Sequence, residues 1–206
     1  MANLSEPNSL SPRAARTHAA LVAAGFELLV ERPIDAIAID EVVARAGVAK
    51  GSFFNHFPDK QHFAEAIASE VRLELEALVT RANSAVTDPV KRIAGGMRVA
   101  ADFALNHPKR TAVLLRSHAS STARDHPLNK GLVDDFKAAV DAGMVRQEAA
   151  DSGVLYWLGL CQILMANLVE RRLDRPGAER RISEMIVLGL TGLGVKNATA
   201  SKLAGR

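Results

Sequence analysis

The chain has 206 residues, of which 48% are hydrophobic and 24% charged, with a formal net charge of +3. Apolar content at that level supports a substantial buried core, and aromatics at only 4% beside abundant Ala and Leu favour helices over sheets. A single cysteine, Cys161, excludes a disulfide framework or a zinc cluster within one chain and fits a reducing, cytoplasmic setting.

Charge is unevenly distributed. Residues 1–60 carry six basic and seven acidic side chains, so any affinity of this part for a polyanion rests on local placement. Residues 91–130 carry eight basic and two acidic side chains, and residues 171–206 eight and three. The opening MANLSEPNSL has no apolar core, so no signal peptide is expected. The longest apolar run, Val154 to Val169, is interrupted by Gln162 and Asn167 and reads as too short and too polar for a membrane span.

In chain order, residues 1–10 are expected as a disordered tail. Ser11-Pro12 starts a helix, with Ser as the cap and Pro at the first helical position. It runs to about Glu31, with Val22, Phe26 and Leu29 on the inner face, and Pro33 stops it. A short helix over Asp40–Ala46 ends at Gly47, a residue able to take the left-handed conformation of a tight turn. A third spans Lys50–Phe57. Pro58-Asp59 breaks it and caps a long helix from Lys60 to about Arg81, with Phe63, Ile67, Val71 and Leu78 inward. Asp88-Pro89 begins another that fades at Asn106-His107-Pro108, followed by one from Pro108 to about His118 and a polar loop over 120–125. His126-Pro127 begins a helix ending at Gly143, and two strongly apolar helices follow at about Glu148–Arg172 and Pro176–Leu193. No run alternates for long with period two and no internal repeat is present. The expectation is an all-α chain of eight or nine helices: a three-helix head at 11–58, a helical domain at 59–195 joined to it by the helix from about 60, and a flexible basic tail at 196–206.

The stretch from Ile39 to Lys60 forms two short helices joined at Gly47-Val48. Val42, Val43 and Ala46 are placed to pack on the first helix, Val48 to plug the turn, and Phe53 and Phe57, four apart, to face the core. That leaves Lys50, Gly51, Ser52, Phe54, Asn55 and His56 toward solvent, on a helix short enough to enter the major groove of DNA. Lys50 can donate to guanine acceptors, Ser52 to either base, and Asn55 bidentately to adenine, while Gly51 allows close backbone approach. The Lys60 ammonium suits a phosphate. Phe54 reads equally as core, His56 as a backbone hydrogen-bonder, and Arg45 as a solvated charge.

The string ARAGVAKGSFFNHFPDKQHFAEAI resembles the signature of the TetR family of transcriptional regulators, A-x-x-A-G-V-S-x-G-x-x-Y-x-H-F-x-x-K-x-x-L. Ala44, Gly47, Val48, Gly51, His56, Phe57 and Lys60 match in register, near the N-terminus and after one amphipathic helix, and the resemblance covers roughly residues 12–65. It implies that the third helix enters the major groove, that His56 and Lys60 hold phosphates, and that the first helix approaches the backbone through Arg13 and Arg16. Three positions depart from the pattern: Phe54 for the usual tyrosine, Ala49 for the serine after Val48, and Ala38 near the usual threonine. Each removes a cap or hydrogen bond worth about 1 kcal/mol, so a shallow salt dependence of DNA binding is expected.

The two apolar helices near the end, with VLYWLGLCQILMANLV in the first, have no continuous polar stripe and must be covered on most sides. The simplest cover is the chain's own domain on one face and a second copy on the other, a homodimer through helices at about 148–172 and 176–193, with Gly189 and Gly192 permitting close helix approach. The resemblance implies the same, and two-fold symmetry pairs two heads with a palindromic operator. A pocket for a small-molecule effector is expected between the fourth and eighth helices, with Met97, Phe103, His118, Trp157, Cys161 and Met165 as candidate lining. The basic segment with Arg98, Arg116 and His118 hints at an anionic effector, or at a solvated surface. The resemblance thus implies a non-enzymatic, cytoplasmic repressor released from double-stranded DNA by an effector of unknown identity. It requires no cofactor, metal or membrane. Control by a protein partner is the alternative, an all-α enzyme or helical adaptor the more remote ones: there is no HExxH, GxSxG or P-loop string, and GLTGLG at 189–194 lacks the spacing and lysine of a nucleotide loop.

Overall fold

The computed structural model describes residues 11–116 and 126–205, and among these it contains helices and no strand. The chain separates into two compact units, the first reaching to Ala68 and the second beginning at Ser69. The boundary falls inside one helix, whereas the sequence placed it in the break before that helix.

The first unit holds α1 (Pro12–Glu31), α2 (Ile39–Ala46), α3 (Lys50–Phe54) and the start of α4 (Lys60–Asn83). The Ser11 side chain accepts from the Ala14 amide at 3.3 Å and Pro12 opens α1. The buried face of α1 is Leu21, Ala24, Gly25, Leu28 and Leu29, so Val22 and Phe26, expected inward, are only half-buried. The stripe is rotated because two of its members are small: a methyl group on Gly25 would lie 2.2 Å from the Phe63 ring, and that space lets α4 approach α1. Gly47 ends α2 at φ +66°, and the Val48 amide closes the turn on the Val43 carbonyl at 3.0 Å. α3 is one turn shorter than expected, but the amides of His56 and Phe57 both return to the Phe53 carbonyl, so Phe57 is still delivered to the core. Phe53, Phe57 and Phe63 are buried together, Phe63 standing 5.2 Å from Phe53 and 4.8 Å from Phe57 between ring centres. Asp59 caps α4, accepting from the amides of Gln61 and His62 at 2.9 Å each.

The second unit comprises the rest of α4 with α5 (Pro89–Asn106), α6 (Pro108–Arg116), α7 (Lys130–Asp141), α8 (Ala149–Arg171), α9 (Arg175–Gly192) and α10 (Asn197–Leu203). Asp88 and Asp174 cap α5 and α9 through their side chains, each ahead of a proline in the first turn. α8 is the central helix, packed against α5, α6, α7 and α9. With 23 residues it is longer than the run from Val154 to Val169 and does meet the length and composition of a membrane span. Its Trp157, Leu164 and Leu168 are buried in the unit's own core.

The end of the chain corrects another expectation. Residues 197–203 are not a flexible basic tail but α10, packed on α9, with Ala200 and Ala204 buried. The Ala204 carbonyl accepts from Ser183 Oγ at 3.0 Å and from Arg98 at 2.8 Å. On α4, Leu75 is buried where Leu78 was expected, and Leu78 is half-buried.

Candidate functional site

Two places gather polar side chains on a framework of buried apolar ones. The first is the outer face of α3. With Phe53 and Phe57 turned into the aromatic core, Lys50, Gly51, Phe54 and Asn55 are exposed, and Ser52 and His56 are half-buried. Phe54 is 52% exposed, which decides against its core reading. A methyl group on Gly51 would meet nothing within 4 Å, so no packing among the described residues requires glycine there. The caps of α2 and α3, Ala38 and Ala49, make no side-chain hydrogen bond, as their departure from the usual residues implied.

The charges on this face are already engaged. Lys50 Nζ lies 2.8 Å from Asp40 Oδ1 on α2, and Lys60 Nζ donates to the Asp35 carbonyl at 3.1 Å. Arg13 and Arg16 are exposed on α1, and Arg45 is exposed opposite Glu31 at 3.9 Å. His56 stands edge-on to His18 of α1, ring centres 5.6 Å apart, and His18 lies 5.2 Å from Phe57. The sequence reading missed His18; its signal was a polar residue one turn beyond the basic start of α1. Nearby, Asp59 Oδ2 and His62 Nδ1 are 2.9 Å apart, and this bond holds the imidazole above its usual range. The amide and imidazole of His62 together hold the Asp59 carboxyl below its usual range.

The second place is a cavity of about 450 Å³ within the second unit. Leu75, Val79, Ile93, Leu115, Trp157 and Met165 supply much of its apolar wall. Two ion pairs stand on the same lining. Arg72 Nε donates to Glu76 Oε1 at 2.9 Å and Arg72 Nη2 to Asn129 Oδ1 at 2.6 Å, while Arg92 pairs with Asp135. Burial raises the carboxyl of Glu76, opposed by Arg72, and that of Asp135, opposed by Arg92. Burial also pushes the Cys161 thiol up to about 12.

Of the residues expected to line a pocket, Trp157, Cys161 and Met165 do so. Met97 and Phe103 do not: both are fully buried core side chains on α5. His118 lies outside the described residues. Of the basic segment 91–130 that hints at an anionic effector, Arg98 and Arg116 are not on this lining, whereas Arg92 is, paired with Asp135. Arg98 is bonded to Glu179 and the Ala204 carbonyl, where it ties α5 to α9 and the end of α10. Arg72, Glu76, Arg92, Asn129 and Asp135 were missed. The i, i+4 pair of Arg72 and Glu76, set among the apolar positions of α4, was the one signal that pointed to them.

Residues 21–67 match the family profile described as bacterial regulatory proteins, tetR family. The transcriptional regulator AcuR of Cereibacter sphaeroides is 28% identical over 131 residues, which is 63% of this chain and 57% of that protein, so the match spans little more than half of the relative's length. Among solved structures, a tetR family transcription regulator from Shewanella sp. PV-4 superposes with a TM-score of 0.75 at 17% identity, covering 86% of this chain and 97% of that one. AibR in complex with isovaleryl coenzyme A and operator DNA superposes with a TM-score of 0.60 at 17% identity, covering 84% and 97%.

Proposed function

The chain belongs to the tetR family of bacterial regulatory proteins, and on that premise we propose that it is a repressor, binding a palindromic operator as a homodimer and released by a small molecule held in the cavity of its second unit. The observation that carries the DNA-binding part is the outer face of α3. There Lys50, Ser52 and Asn55 project from a short helix whose other side is fixed by Phe53 and Phe57. A helix so anchored enters the major groove with base-reading side chains foremost. Lys50 and Asn55 read bases, Ser52 and the exposed Phe54 lie against the groove, and Gly51 lets the backbone come close. Arg13, Arg16, His56 and Lys60 hold phosphates. For Lys60 this means exchanging the Asp35 carbonyl for a phosphate oxygen.

Dimerisation is supported by the apolar residues that α8 and α9 leave uncovered: Leu155, Tyr156, Ile163 and Leu188 are 39–67% exposed. Gly189 and Gly192 play a different part from the one expected at such an interface. Methyl groups there would lie 2.7 Å from Trp157 and 2.4 Å from the Tyr156 hydroxyl, so both glycines admit aromatic side chains of the same chain. Release follows from α4, which passes from one unit into the other and carries Arg72, Glu76 and Val79 of the cavity wall. A ligand bound more tightly to one arrangement of α4 shifts the population toward it, whereas equal affinity for both shifts nothing. The AibR complex shows a protein of this fold with a ligand and an operator together.

Selection from random duplex DNA by the purified protein, at near-physiological salt, tests the reading. Enrichment of a palindrome whose recovery is lost with Lys50→Ala or Asn55→Ala supports it. A pool that stays random while the protein is folded and dimeric refutes operator binding by the ligand-free chain.

A further inference from the structure

The cavity lining balances its own charges. Arg72 is matched by Glu76 and Arg92 by Asp135, and the remaining acid on the wall, Asp134, is paired with Lys130 at 2.6 Å along α7. Among the described residues, none on the wall brings a charge without an opposite partner. A carboxylate or phosphate entering this space would join three acids, and an ammonium would face two guanidinium groups already in place. Either would bury a charge without compensation, which costs far more than one hydrogen bond returns. Hydrogen-bonding capacity, by contrast, is available. Among the described residues, two of the five Arg72 N–H donors are committed, to Glu76 and Asn129, and the side chain is just 12% exposed. The Glu76 carboxylate keeps acceptor capacity beyond its bond from Arg72. Arg72 and Glu76 line the same cavity as Trp157 and Cys161 of α8.

We propose that the cavity binds an uncharged, mainly apolar molecule bearing one hydroxyl group, whose oxygen accepts from Arg72 and whose hydrogen is donated to Glu76, with its apolar body against Leu75, Val79, Ile93, Trp157 and Met165. This deepens the effector role proposed above and rests on it for its regulatory meaning. The cavity volume, about 450 Å³, lies toward the small end of the roughly 300–1,000 Å³ typical of ligand pockets, so the molecule is compact.

Trp157 is the only tryptophan in the chain and lines the cavity, so its fluorescence reports occupancy. The full-length protein is titrated at neutral pH with 1-adamantanemethanol, 1-adamantanecarboxylate and 1-adamantanemethylamine, which share one apolar body and differ in head-group charge. The alcohol binds at least about tenfold more tightly than either ion, the factor set by about one lost hydrogen bond or more. Glu76→Gln removes the built-in counter-charge of Arg72 and moves the preference about tenfold toward the carboxylate. If E76Q does not fold, the paired variant R72M/E76M, which removes both charges together, binds the alcohol about tenfold more weakly. The proposal is overturned if the carboxylate or the amine binds best, if no compound perturbs Trp157, or if a folded E76Q keeps the wild-type ratio. Operator release is read separately by anisotropy of labelled DNA. An alcohol that occupies the cavity and leaves DNA bound refutes the effector role and upholds the site. Molecules that release DNA without disturbing Trp157 refute the site and uphold the effector role.

Discussion

Lys50 stands at the start of α3, yet its ammonium lies 2.8 Å from the Asp40 carboxylate on α2. Both side chains are well exposed, at 57% and 71%, so solvent screens the pair and it contributes only about 0.2–1 kcal/mol. Reaching a base or a phosphate requires Lys50 to give up that partner, and the pair therefore subtracts from operator affinity by the same amount. Asp40→Asn is expected to tighten operator binding by about 1.4- to 5-fold, the range that follows from 1.4 kcal/mol per tenfold. Asp40 also sits in the first turn of α2, where an acid favours the helix by about 0.3–1 kcal/mol, so the variant melts slightly earlier while binding more tightly. Anisotropy with labelled operator at several salt concentrations measures the affinity, and a double-mutant cycle with Lys50→Ala isolates the cause. In the Lys50→Ala background Asp40→Asn should change nothing. An equal gain in both backgrounds would show that Asp40 acts through general repulsion of DNA and not by holding Lys50.

Other expectations follow from the same geometry. Gly25→Ala places a methyl group 2.2 Å from Phe63 and should cost about 1–3 kcal/mol in urea denaturation of the first unit, with Gly51→Ala, which meets nothing, as the neutral comparison. Ala49→Ser restores a missing cap at α3 and should raise stability by about 0.5–2 kcal/mol; an unchanged melting temperature would mean that the turn geometry does not admit the capping bond. Burial raises the Glu76 carboxyl, so its favourable contribution is present below its ordinary value and is lost as pH rises through the raised one. Stability measured from pH 4 to pH 7 should therefore fall less in Glu76→Gln than in the parent chain, and parallel profiles would contradict the burial effect. The Cys161 thiol, pushed up to about 12, should react with iodoacetamide at neutral pH far more slowly in the folded protein than in urea.

The first unit was legible because its signals are local. Ser11-Pro12, Gly47 and Pro58-Asp59 each act within four residues of themselves, and each does in the structure what its chemistry requires. Errors arose where small residues carry the packing. The inner face of α1 includes Ala24 and Gly25, which add little to a hydrophobic pattern, so the pattern points instead to Val22 and Phe26. The same weakness hid α10: Lys196 and Lys202 read as a basic tail, while the buried contacts come from Ala200 and Ala204. Alanine favours a helix without announcing which side it buries.

The cavity was far less legible, for a reason that follows from how it is built. Its aromatic and sulfur residues on α8 are conspicuous types, and Trp157, Cys161 and Met165 were found by type alone. Met97 and Phe103 are equally conspicuous, yet they fill the core of α5. The polar residues that give the site its chemistry meet only after folding: Arg72 and Asn129 are 57 positions apart and Arg92 and Asp135 are 43. Each of them, read alone, is an ordinary surface residue. What separates them from the surface is that Arg72 keeps a partner while 12% exposed, since a guanidinium is held that deep only where its bonds are made. The legible site, at α3, is built from one segment and, as proposed above, meets DNA, a ligand of nearly fixed shape. The less legible one is drawn from five helices and must fit a molecule whose form the chain alone does not dictate. The matched signature lies in one continuous segment while the cavity wall is assembled from five helices, and that is why the resemblance over roughly residues 12–65 implied an operator and left the identity of the effector open.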